Sequence, residues 1–380
     1  MASTTQRFSK LGATLLWLLM VLLLLSLVSS AYARVGYRQF NLVSDIRGLA
    51  RNTDPNLVNP WGIEFGPTGL LWVADNGTGV STVYRPSSGR RVLTVTIPAP
   101  PSSSTGVSAP TGIVFNSTMD FVVSANGLSS SSIFLFATED GTIAGRDSSV
   151  DPANAITAVD NSASGAVYKG ITIANSTAGN VILATNFAMY RIDVFDADFQ
   201  PVMLPSGAFT DPNLPAGFAP FGIRNIGGDI IVTYAKVGPG GDDEPGPGNG
   251  FVDIYDADGN LITRFASGGT LNSPWGIALV PRRFGRFSNA LLIGNFGDGT
   301  INVFNPATGE FLGQLTNRNN NVIAIEGLWG LSFFSRSSRR GERGNRNDLY
   351  FAAGINDEAN GLLGFLRPNS PGTRPIIIIR

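Results

Sequence analysis

The chain contains no cysteine and no histidine. Those two zeros remove Ser-His-Asp and Cys-His nucleophile systems, thiolate chemistry, haem attachment and ordinary zinc sites. Disulfides are excluded too, so the fold must be held by core packing. Charge is scarce: Asp, Glu, Lys and Arg make up 14% of 380 residues, almost balanced at 27 basic and 28 acidic groups. A chain so balanced offers no strong basic field for nucleic acid. What remains for chemistry is carboxylate, hydroxyl, lysine, arginine and tyrosine, with oxygen-ligated hard cations such as calcium.

What is present is a large apolar fraction, 43%, with 46 glycines and 23 prolines. That apolar content supports a sizeable core and excludes disorder for most of the chain. The glycines and prolines show no triplet period and punctuate short apolar runs, which excludes collagen and argues for many short strands joined by turns. At the N-terminus Arg7 and Lys10 precede an apolar run over 15–28, and Ser29-Ser30-Ala31-Tyr32-Ala33 follows. This pattern predicts a signal peptide over 1–33, cleaved after Ala33 to release a secreted, extracellular protein. The alternative is an uncleaved anchor, since 11–33 is long enough to tether the chain to a membrane. Cleavage takes the formal net charge from −1 to −3. No later run is long enough to span a bilayer, and 375–380 reads as a closing strand.

A glycine followed by Ile or Leu opens an apolar run six times, at Gly62, Gly112, Gly170, Gly222, Gly276 and Gly330, with spacings of 50, 58, 52, 54 and 54 residues. A second apolar run follows each, over 70–74, 121–124, 181–185, 230–234, 291–294 and 349–353. A third run alternates, as at 192–195, 251–255 and 301–304, and several units add a fourth, such as 92–97 and 261–265. Four strands repeated about every 50 residues mark a propeller blade. The expected fold is therefore all-β, a six-bladed β-propeller of four-stranded blades forming one domain over 34–380. Its blades start near 59, 109, 167, 219, 273 and 327. The sixth unit lacks an outer strand, and 39–44 is expected to supply it, so that an N-terminal strand closes the ring and leaves no free edge.

Several stretches carry a family likeness: Asn56-Leu57-Val58-Asn59-Pro60-Trp61-Gly62-Ile63, Val73-Ala74-Asp75-Asn76-Gly77, Val167-Tyr168-Lys169-Gly170, and Gly294-Asn295-Phe296-Gly297-Asp298-Gly299. With 209–217 and Asn356-Asp357-Glu358, they resemble an uncharacterised family of secreted, NHL-repeat-like six-bladed propellers found in bacteria and some eukaryotes. The likeness covers nearly all of the chain after residue 33. It implies the fold and carries no catalytic residues with it. The calcium-dependent lactonases of the SMP-30 and paraoxonase types are an analogy by fold alone.

Strand alternation places the loops leading into the innermost strands on one face, together with the loops between second and third strands. That face is expected to gather Asn59, Lys169 and Glu326, with Asp75, Asn76, Asn126, Asn186, Lys236 and Asn295 at the ends of second strands. Longer loops add Asp242, Asp243, Glu244, Asp357 and Glu358, making an acidic, oxygen-rich channel mouth. Asp75, Asn126, Asn186, Asn295 and Glu326 resemble, by type and position, the ring that holds calcium in lactonase-like propellers. Asn or Asp before Gly is equally a turn residue.

Lys169 and Lys236 are the only lysines after the leader. Lys169 reads as a base or Schiff-base former, with Glu326 as the second catalytic candidate, or as a salt bridge to Asp75 or Glu326 that fixes the mouth. The loop over 240–250, rich in Gly and Pro, is expected to be solvated and flexible. On the opposite face Arg282, Arg283, Arg286, Arg336, Arg339, Arg340, Arg343 and Arg346 form a basic patch suited to carboxylate, sulfate or phosphate. Sequons stand at Asn76, Asn116 and Asn175. Two functions follow as expectations. One is a monomeric, secreted binding module for an extracellular protein, glycan or small molecule. The other is a calcium-dependent lactonase or esterase with its site at the channel mouth.

Overall fold

The computed structural model describes residues 36–334 and 344–369. The expected leader, the expected closing strand over 375–380, and Arg336, Arg339, Arg340 and Arg343 lie outside the described residues. Six sheets form the blades of a propeller, antiparallel apart from a short parallel pairing of Asn52-Thr53 with Val43-Ser44 at the edge of blade six. Their innermost strands are Pro60–Phe65, Pro110–Phe115, Tyr168–Ser176, Phe218–Ile226, Pro274–Leu279 and Leu328–Phe333. Contacts join each innermost strand to those of the two neighbouring blades, and the last returns to the first.

The repeated glycine has a steric cause. A Cβ on Gly222 would stand 2.2 Å from the Trp275 carbonyl oxygen, on Gly276 2.6 Å from that of Trp329, and on Gly330 2.4 Å from that of Trp61. Around the axis each blade thus presses its glycine against the next blade's backbone, and only a residue without Cβ allows the approach. The same contact from Gly330 to Trp61 closes the circle between blades six and one.

Blade six completes itself as the pattern predicts. Tyr37–Ser44 pairs antiparallel with Asn360–Pro368, from Tyr37 opposite Pro368 to Ser44 opposite Leu362. The fourth position is filled from the far end of the chain, which ties the two ends together, and Asn52–Thr53 covers part of its outer edge.

Two blades depart from the expected plan. In blade two the run 121–124 is not the second strand. Val122–Ala125 and Leu128–Ser131 pair only with each other, as a separate hairpin. The second strand is Phe134–Thr138, which pairs with Pro110–Phe115 on one side and Thr142–Arg146 on the other. Asn126-Gly127, both at positive φ, makes the two-residue turn. That dipeptide between short runs is the local hairpin signal that ties 122–131 to itself. Blade three has three strands, ending with Arg191–Phe195. The chain then makes a bridge from Pro201 to Phe195 and one bond from Val202 N–H to the Val194 carbonyl. Pro201 brings no N–H, and Pro205 follows closely, so a ladder cannot propagate.

Candidate functional site

The axial channel is narrow and shut at both ends. Behind the glycines, Ile63, Ile113, Ile171, Ile223, Ile277 and Leu331 line a cavity of about 40 Å³, room for little beyond water. Its far end is crossed by Arg224 of blade four. The guanidinium reaches Glu64 of blade one at 3.2 Å and the Leu331 carbonyl at 3.3 Å.

The near end is floored by rings. Trp61, Trp275 and Trp329, each next to a repeat glycine, meet Phe187, Phe221 and Phe296 in one buried cluster. Trp329 stacks on Trp61 at 3.5 Å and on Phe296 at 3.9 Å, and meets Trp275 edge-on at 5.8 Å. Two of the three indoles are anchored by their N–H groups, Trp275 donating to the Lys169 carbonyl at 3.0 Å and Trp329 to Asn59 Oδ1 at 3.2 Å, while the Trp61 N–H is buried without a partner among the described residues.

On this floor lies Lys169, whose side chain is 3% exposed. Its ammonium donates to Glu139 Oε1 at 2.5 Å and to Asp242 Oδ1 at 3.0 Å. It also stands 5.1 Å from the Trp61 ring centre and 5.7 Å from that of Phe187, within cation–π range. Burial pulls the lysine pKa down, but the two carboxylates outweigh it and hold the ammonium above the ordinary lysine range. A base or a Schiff-base former needs the neutral amine, which this setting between two carboxylates disfavours. The salt-bridge expectation is met in kind with different partners: neither Asp75 nor Glu326 takes part.

A hydrogen-bonded line extends the rim. Asn59, at φ 45°, donates from Nδ2 to Asn76 Oδ1 at 3.3 Å, and Asn76 Nδ2 donates to Glu139 Oε2 at 2.8 Å. From Trp329 through Asn59, Asn76, Glu139 and Lys169 to Asp242, the line draws on blades six, one, two, three and four. Glu139 was invisible to strand counting because 121–124 occupied the place of blade two's second strand. The Asn126-Gly127 hairpin signal was the clue that would have moved it.

The loop over 238–249 is folded inward. Gly238 N–H donates to the Asp242 carbonyl and Glu244 N–H to the Lys236 carbonyl, both at 2.7 Å. Gly246 N–H binds Asn272 Oδ1 at 2.7 Å, and Lys236 pairs with Glu244 at 2.9 Å. The expected free loop is thus a hairpin that delivers Asp242 to Lys169 and buries part of Asp243. Across the mouth, Asn356, Asp357 and Glu358 all adopt positive φ, at 56°, 50° and 63°. Asn356 N–H donates to Glu326 Oε1 at 2.8 Å, which braces this turn. Glu326 and Asp357 are exposed, while Glu358 turns inward. Asp243 Oδ2 and Glu358 Oε1 are buried without a hydrogen-bond partner among the described residues. Burial lifts both carboxyl pKa values above the usual range, and nearby Ser273 and Asn59 offset only part of that.

The expected calcium ring is not assembled. Asp75, Asn186 and Asn295 do occupy one equivalent position, opposite Pro60, Tyr168 and Pro274 of their innermost strands. Each bonds within its own blade or the loop leading into it, although Asp75 Oδ1 is buried with no hydrogen-bond partner among the described residues. Asp75 accepts from Thr82 N–H at 2.9 Å and from its hydroxyl at 2.7 Å, and burial pushes its carboxyl well above the usual range. Asn186 accepts from Val167 N–H at 3.2 Å and donates to Asp193 at 2.8 Å. Asn295 accepts from Asn272 N–H at 3.2 Å and donates to the Thr270 carbonyl at 2.7 Å. Asn126 sits exposed at the tip of the inserted hairpin rather than at the end of a blade strand. Among the described residues no three carboxylates are spaced to share a metal ion. As placed, these five residues do not fit calcium.

Of the basic patch, Arg282, Arg283, Arg286 and Arg346 are described, and all four are exposed. The three sequons differ sharply. Asn116 is buried and donates to the Asp120 and Ser132 carbonyls, and Asn76 is tied into the mouth. Asn175 lies exposed beside a strand turn, and its side chain bonds to Asn180 alone among the described residues. Expressed through a glycosylating secretory route, the protein is expected to carry sugar at Asn175 and at neither of the other two. Peptide mapping after glycosidase treatment checks this, and an occupied Asn116 would contradict the buried geometry.

No family model matches the sequence. Two proteins of Acanthamoeba polyphaga mimivirus are similar along most of it. Uncharacterized protein R648 is 32% identical over 331 residues, 85% of this chain and 78% of that one. Uncharacterized protein L690 is 31% identical over 334 residues, 86% of this chain and 84% of that one. Among solved structures, virginiamycin B lyase from Staphylococcus aureus aligns with a TM-score of 0.46 at 15% identity, covering 88% of this chain and 99% of that one. A gluconolactonase from Xanthomonas campestris aligns with 0.48 at 13% identity, covering 82% and 87%.

Proposed function

This chain belongs to the family of the mimivirus proteins R648 and L690, and on that premise we propose that it is a ligand-binding propeller whose site is the channel mouth. One observation carries the reading: the bonded line from Trp329 to Asp242 fixes polar groups from five blades over a floor of rings. Such preorganisation lowers the ordering cost of binding. The far end is closed by Arg224 and Glu64, so a ligand approaches from one side. Recognition is favoured over turnover because the one buried amine is held as an ammonium between two carboxylates. With the leader expected over 1–33, the ligand would be extracellular.

Three of the four tryptophans after the leader lie in the floor, so indole emission reports on the mouth directly. A ligand of this site is expected to shift that emission saturably, and Asp242→Ala is expected to weaken it several-fold. Arg283→Ala and Arg286→Ala, on the opposite face, are expected to leave it unchanged. The reverse pattern would move the function to the basic face.

A further inference from the structure

Blade three is one strand short. The other five sheets fill a fourth position, whereas the sheet of blade three stops at Arg191–Phe195. On its outer side the Val194 carbonyl takes the Val202 N–H, so the backbone groups of Ile192, two residues earlier, face the same way. Among the described residues nothing bonds to Ile192 on that side. Between this edge and the departing chain lies a groove of about 470 Å³, lined by Ile192, Val194, Val202, Met203 and Leu204. Met203 is 94% exposed beside it. Natural sheet edges are guarded by charge, by proline or by a covering segment. Here the edge strand carries no proline, and the charged side chains in the groove wall, Arg191 and Asp193, pair with each other at 2.6 Å. An open edge beside apolar pockets takes an extended polypeptide as an added strand, held through backbone groups and seated by alternate side chains.

The chain itself carries a segment of that kind beyond the described residues, Pro375-Ile376-Ile377-Ile378-Ile379-Arg380. Four β-branched residues in a row favour a strand, and four isoleucines in water forgo a large hydrophobic gain. In the neighbouring blade six the fourth position is already taken by Tyr37–Ser44, with Asn52–Thr53 outside it. The groove of the same copy is out of reach. Innermost strands packed about 10 Å apart in a ring of six lie about 10 Å from the axis, and three strand spacings carry the outermost position to about 24 Å. Blades six and three stand opposite each other in the circle of contacts, which puts their outer edges about 48 Å apart. Residues 370–380, fully extended, span at most about 40 Å, with nothing left to lie in the groove. We infer that residues 376–379 of a second copy fill the groove as the missing fourth strand of blade three. Donor segment and groove belong to opposite edges of the ring, so copies join head to tail in an open series instead of a closed pair.

The test is sedimentation of the chain processed by a secreting host, across the micromolar range. Mean mass is expected to rise with concentration past that of two chains. Ile377→Asp with Ile379→Asp spoils the donor segment, and Arg191→Asp with Met203→Asp sets carboxylates against the isoleucines in the groove. Each double variant is expected to weaken association at least about tenfold and to sediment as a monomer where the unaltered chain assembles. Mixed in equal amounts, the two variants should complement, because the intact segment of one meets the intact groove of the other. The product expected is a species of two chains and nothing larger, and its formation shows that both variants are folded. An unaltered chain that stays monomeric throughout, or one that assembles undiminished in either variant, overturns the inference. So does a mixture that gives no two-chain species, since it separates this segment from this groove.

Discussion

Truncating Trp329 to alanine is expected to cost about 3–5 kcal/mol of stability, the range for removing a large aromatic from a packed core. The side chain is 1% exposed and stacks on both Trp61 and Phe296. It meets Trp275 and Phe221 at their edges, and its N–H satisfies Asn59. Deletion leaves a void that rings from blades one, four and five cannot all move to fill, because their backbones are pressed together through the repeat glycines. It also leaves Asn59 Oδ1 without its donor, at a residue already held in the left-handed region. Equilibrium denaturation should show a lower midpoint with an unchanged slope. A loss below about 1 kcal/mol would mean that the floor is loosely packed and that its rings are not the anchor of the mouth.

The second large effect is expected at Lys169. Lys169→Met keeps the stem and removes the charge, leaving Glu139 facing other carboxylates, and breaking a buried pair in this way costs about 3 kcal/mol. Nearly all of that cost falls on Glu139, whose side chain is 27% exposed. Asp242 is 79% exposed and its share is screened by water. The double substitution Lys169→Met with Glu139→Gln should therefore recover most of the loss. Asp242→Ala alone should cost little stability, although it loosens the hairpin over the mouth. A denaturation cycle over the four proteins measures the coupling. Additive single effects would show that Lys169 and Glu139 do not act as a pair.

These two residues also show how far the sequence could be read. Trp329 belongs to the Gly-containing repeat, and its burial follows from the register of an innermost strand against the axis. Lys169 stood out by rarity, and a salt bridge was the expected role. Its partner Glu139 was out of reach, because the apolar run 121–124 imitates a blade strand and only pairing reveals it as a hairpin with 128–131. The calcium ring failed for a different reason. Position at the end of a second strand was inferred correctly for Asp75, Asn186 and Asn295, but it does not determine which way a side chain turns. In all three cases the hydrogen bonds that are made stay within the residue's own blade or the loop leading into it.

What the sequence determined by itself was the architecture. Six blades, their starts and the closing N-terminal strand follow from a local steric demand, a glycine wherever backbones meet at the axis, repeated often enough to be read as a period. What only the tertiary structure decided was the make-up of the candidate site. Its charges come from Glu139, Lys169, Asp242, Asp243 and Glu358, on blades two, three, four and six, and its rings from Trp61, Trp275 and Trp329. These groups are brought together by closure of the ring, and no local spacing encodes a distance that exists only once the circle is complete.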